Sequence, residues 1–79
     1  MKNMQFLKKQ KLLIIPESTT IIEEYSFAFD DDLEEVVILS NNITIKENAF
    51  YNCLNLKNVI LASEYIEIEE DVFDQCKEL

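Results

Sequence analysis

The sequence predicts a β-rich α/β solenoid of about three 23-residue coils, with parallel strands and short helical or 3-10 segments. Two observations predict it. Apolar residues recur at a constant offset of 23: Leu33, Val36 and Ile38 return as Leu56, Val59 and Leu61, Ile43 and Ile45 as Ile66 and Ile68, and Ala49, Phe50 and Cys53 as Val72, Phe73 and Cys76. Within each unit the apolar spacing changes from two to three or four, so no single element carries all of it. One unit cannot bury these side chains alone, but copies stacked about 4.8 Å apart align them into continuous ladders.

Each element follows from its residues. Val36 and Ile38 are β-branched and two apart, which predicts a short strand with both on one face. Ser40, Asn41 and Asn42 supply a polar turn, after which Ile43 and Ile45 predict a second extended segment. Ala49, Phe50, Cys53 and Leu56, at spacings of three and four, predict one or two turns of helix or 3-10 helix. The offset runs backwards with decay: Leu13, Ile15, Ile22 and Phe27 keep their columns, Ser26 holds the small-residue column, and Asp30 replaces the cysteine. Earlier still, Met4 and Leu7 fall in the phenylalanine and cysteine columns while Gln10 breaks the leucine column, so residues 1–10 are read as a basic arm and degraded cap. The repeats then occupy about 11–32, 33–55 and 56–79.

The order Leu33, Val36, Ile38, then Ile43 and Ile45, then Ala49, Phe50, Cys53 and Leu56 resembles the BspA-type (treponemal-type) leucine-rich repeat, over residues 11–79. The resemblance implies a leucine-rich-repeat solenoid that binds protein partners, and for some relatives a role in surface adhesion. It also implies a glycine after the second isoleucine, a column that here holds Glu23, Lys46 and Glu69 in a chain with no glycine. If that turn needs a positive φ, strain is expected at those three positions.

Composition narrows the function. The chain of 79 residues carries a net charge of −9, with four lysines and no acid before residue 12 and sixteen acids against three lysines after it. That field repels phosphate backbones, which argues against nucleic-acid binding. The apolar runs are too short for a membrane span, and the stretch behind the first lysines is too short for a secretory signal, which favours a cytoplasmic location. The resemblance leaves the cell surface open as the alternative.

Catalytic and cofactor chemistry finds no support. There is no histidine to serve as base for Ser18, Ser26, Ser40 or Ser63, and no glycine-rich phosphate loop. Cys53 and Cys76 have no Cys-x-x-Cys partner for zinc; they are read as buried ladder residues, with a bridge between adjacent coils as the alternative. The acidic runs at Asp30, Asp31 and Asp32 with Glu34 and Glu35, and at Glu67, Glu69, Glu70 and Asp71, lack calcium-loop spacing and a cleft to make paired catalytic carboxylates; they are read as solvated turn charge, with weak calcium binding as the alternative. No cofactor and no metal are expected. Asn42, Ile43 and Thr44 form a glycosylation sequon, read as coincidental.

The candidate binding residues lie on the other face of the strands. If Val36 and Ile38 point inward, then Leu12, Ile14, Val37, Leu39, Ile60 and Ala62 point outward, where alternation predicts polar residues. An exposed apolar strip of this kind marks a protein contact unless the arm, through Met4, Phe6 and Leu7, or neighbouring chain of a larger array covers it. A second expectation is self-association through an uncapped C-terminal layer of Ile66, Ile68, Val72 and Phe73, as a self-assembling unit or as a fragment of a longer array such as a surface adhesin.

Overall fold

A computed structural model describes the backbone of residues 7–9 and all of residues 11–62 and 64–79. The chain enters through β1 (Leu7–Lys9) and continues through β2 (Leu12–Ile15), β3 (Ile21–Ile22), β4 (Glu35–Ile38), β5 (Asn42–Ile45), β6 (Asn58–Leu61) and β7 (Tyr65–Ile68). Strands β2, β4 and β6 pair in parallel with Leu13, Val36 and Val59 in register, each 23 residues from the last. Strands β3, β5 and β7 form a second parallel sheet with Ile22, Ile45 and Ile68 in register. The expected parallel coil is therefore present, with two open sheets.

The core follows the repeat columns. Leu13, Ile15, Leu33, Val36, Ile38, Ile43, Ile45, Phe50, Cys53 and Leu56 are buried, and Phe27, Phe50 and Phe73 stack face to face at 5.4 and 5.6 Å between ring centres. Burial fades in the last coil, where Leu61 is 45% exposed although Ile38, its partner one strand earlier, is buried. Ser40 is the buried polar residue of the corner between sheets, and its hydroxyl donates to the Thr19 carbonyl at 2.5 Å, tying two coils together.

The helical expectation for Ala49 to Leu56 is corrected: no helix occurs among the described residues. The segment is a ladder of turns. The amides of Ala49 and Tyr51 donate within the coil to Lys46 and Asn48, at 3.1 Å each, while those of Phe50 and Asn52 donate to Val72 and Asp74 of the next coil. The first coil does the same, with Ser26 and Ala28 bonding locally and Phe27 and Phe29 reaching Ala49 and Tyr51. A helix would send every amide to its own chain four residues back, so the stack takes half of them away.

The expected strain also moves. Positive φ occurs at Tyr25, Asn48 and Asp71 and at Phe29, Asn52 and Gln75, two columns at the same 23-residue offset. Glu23, Lys46 and Glu69 are not among these residues, so the missing glycine is no burden at that column. Asn and Asp reach the left-handed region readily, because their short polar side chains bond locally. Tyr25 and Phe29 have no such compensation.

β1 runs antiparallel to β2, pairing Leu7 with Ile14 and Lys9 with Leu12, so it closes a sheet edge and does not continue the parallel coil backwards. Met4 and Phe6 lie outside the described residues, and of Leu7 only the backbone is described.

Candidate functional site

The outward face of the first sheet is built by strand alternation. In β2 and β4 burial alternates, with Leu12 and Ile14 half-buried between buried Leu13 and Ile15, and Glu35 and Val37 half-buried between buried Val36 and Ile38. The register sets Ile14, Val37 and Ile60 side by side on one rung. Ile60 is 50% exposed. Leu39 and Ala62 follow their strands and carry the pairing one residue further, their amides donating to Ile15 at 2.8 Å and Ile38 at 2.9 Å. Both are exposed, and Pro16 stands 23 residues before Leu39. Leu12 is separated from this group chemically, because its rung continues as Glu35 and Asn58.

The six residues singled out from the sequence thus fall on three rungs, two of them apolar. Three parallel strands about 4.8 Å apart and two rungs about 7 Å apart give the apolar area a footprint on the order of 100 Å², far below the ~800 Å² per partner of a standard interface. A partner large enough to hold tightly would also cover the polar rim.

That rim contains a feature the apolar pattern did not reveal. Glu34 receives Lys11 at 3.3 Å and Lys57 at 4.0 Å, one lysine from each neighbouring coil. Away from that rim, just past the strands of the second sheet, Lys46 meets Glu69 at 3.6 Å in the column that begins with Glu23. Both columns alternate in sign, which is legible at the same 23-residue offset once charged positions are aligned as carefully as apolar ones. Alternation turns what would be stacked like charges into attraction, although exposed pairs contribute only about 0.2–1 kcal/mol each.

The cysteines sit inside the stack as free thiols, Cys53 donating to Phe27 and Cys76 to Phe50, both at 3.1 Å. Burial pushes the Cys53 thiol up to about 11, partly opposed by a backbone hydrogen bond at Asp30, and burial also raises Cys76. Raised thiols make poor nucleophiles. The second sheet bears an open groove of about 350 Å³ whose lining includes Asn42, Thr44, Tyr65 and Glu67. Among the described residues no three of His, Cys, Asp and Glu group as metal ligands, and no helix is long and apolar enough to cross a membrane.

The 23-residue register, the Leu–Val–Ile strands and the Phe–Cys turn ladder agree with a family comparison, in which the model for the BspA type leucine rich repeat region (6 copies) matches residues 3–79. The chain belongs to the BspA-type leucine-rich repeat family. No curated protein and no solved structure matches it. BspA-type repeat regions are generally protein-binding modules and typically not enzymes. In this BspA-type chain the strands of the first sheet present the apolar rungs, and the turn ladder carries the phenylalanine stack.

Proposed function

We propose that the chain is a non-enzymatic protein-interaction module that docks a partner protein on the outward face of its first sheet. The observation that carries this reading is the rung Ile14, Val37 and Ile60, apolar on a face where solvent-directed strand positions are ordinarily polar. Leu39 and Ala62 extend it, and Leu12 lies at its margin beside Glu35. Family membership supports a protein partner.

The test is substitution of Val37, Leu39 and Ile60 by serine or lysine, followed by partner capture and circular dichroism. Loss of capture with an unchanged spectrum is the expected result. Capture that survives in a folded triple variant removes this face as the site.

A second reading, self-association through the last coil, draws on the exposure of Leu61 and Ile68 next to the open edges of β6 and β7. Light scattering over a concentration series separates the two, since a folded species that stays monomeric at high concentration excludes self-association.

A further inference from the structure

The turn side of the first coil carries a cluster that the sheet-face reading does not use. Tyr25 is 55% and Phe29 60% exposed. Both stand edge-on to Tyr51 of the next coil, at 6.2 Å and 77° for Tyr25 and 5.3 Å and 86° for Phe29. Three rings are thus gathered on the surface, with Tyr51 between the other two.

Backbone conformation makes the cluster harder to explain as packing. Tyr25 and Phe29 occupy the two positive-φ columns, at 58° and 65°. The equivalent residues are Asn48 and Asn52 in the second coil and Asp71 and Gln75 in the third, polar residues throughout and mostly ones that take this conformation cheaply. The first coil instead places aromatic residues where the backbone resists them, and then leaves them in water. Strain retained at exposed residues points to a use outside the fold.

Charge narrows the occupant. The segment reads Glu23, Glu24, Tyr25, Ser26, Phe27, Ala28, Phe29, Asp30, Asp31, Asp32, so acids bracket the rings on both sides in the chain. Glu24, Asp31 and Asp32 are exposed. The face of an aromatic ring attracts cations, and a planar guanidinium both stacks on it and pairs with a neighbouring carboxylate.

We propose that Tyr25, Phe29 and Tyr51, with the exposed carboxylates of Glu23, Glu24, Asp31 and Asp32 flanking the first two in the chain, form a docking site for an arginine-rich segment of a partner protein. The site lies on the turn side of the coil, apart from the sheet face, and stands whether or not that face binds. Nucleic acids and anionic lipid are repelled by the same carboxylates.

The test uses the full chain and an octa-arginine peptide, with octa-glutamate and a glycine–serine octamer as comparisons. The double variant Tyr25→Asn, Phe29→Asn keeps the net charge and installs the residues that the second coil already carries at these columns. Loss of edge contacts and relief of backbone strain oppose each other, so its thermal midpoint is expected within about 5 °C of the parent. Its affinity for octa-arginine is expected to fall about tenfold or more, and the arginine side-chain protons to lose the upfield shift that ring faces induce. Equal affinity in the two proteins shows attraction to net charge alone and overturns the site. So does binding of the parent without ring-induced shifts, a measurement that needs no variant, or equal binding of the uncharged octamer.

Discussion

The rings of Phe50 and Phe73 lie 5.6 Å apart and within 13° of parallel, one coil above the other. Phe27 continues the column on the opposite side of Phe50, so the central ring is covered on both faces. Its position between two coils makes it the side chain whose loss should separate them. Phe50→Ala is expected to cost about 3–5 kcal/mol, comparable with the whole stability of a small domain. Urea denaturation followed by circular dichroism checks this, and a variant that unfolds at nearly the parent midpoint contradicts it.

Glu34 holds lysines from two coils at once, but in partly exposed surroundings. Glu34→Lys would stack three lysines in a column and is expected to lower stability by about 1 kcal/mol at low salt. Raising salt to about 1 M should recover most of that loss, because the Debye length shrinks to roughly 3 Å. A deficit that does not respond to salt would mean packing, not charge, explains the position.

Asn48 is buried, lies at φ 58°, and its side-chain amide donates to the Asp71 carbonyl at 3.3 Å. Asn48→Val combines a β-branched residue at positive φ with loss of that bond, at an expected cost of about 2–4 kcal/mol. Asn48→Gly keeps the backbone conformation and should cost clearly less. The order of the two thermal midpoints is the measurement, and a valine variant as stable as the glycine variant would refute the account.

Cys53 holds its proton in the fold up to about pH 11, whereas an exposed thiol releases it near the ordinary value of 9.0. The unfolded chain therefore binds fewer protons than the folded one between those values. Stability from this group is fully present below pH 9 and is lost as pH rises through that window. The urea midpoint of the parent should fall more steeply above pH 9 than that of Cys53→Ala. Parallel pH profiles would show that Cys53 does not contribute.

The repeat length, the inward columns and the outward rung of Ile14, Val37 and Ile60 were all legible in the sequence, because burial in a stack imposes identity of kind at a fixed offset. The turn ladder was not. Spacings of three and four between Ala49, Phe50, Cys53 and Leu56 serve a helix and a row of turns equally well. Only the neighbouring coil, by accepting from Phe50 and Asn52, decides between them. The positive-φ columns were missed for a related reason: Tyr25 and Phe29 are residues from which no one would infer that backbone. Charge alternation through Lys11, Glu34 and Lys57 was present in the letters but runs through exposed columns, where the stack imposes no apolar identity. The antiparallel course of β1 leaves no mark in a residue pattern at all, since Leu7 suits a strand in either direction.

Hydrogen bonds cross between coils on both sheets and along the turn side, so every face of the tube is laced in the direction of its axis. The tube should therefore be mechanically anisotropic. Tension along the axis loads all the bonds of one coil boundary together, and the boundary resists until it parts as a unit. Tension applied to a single strand instead opens the bonds of its ladder one after another, and the coil peels at low force.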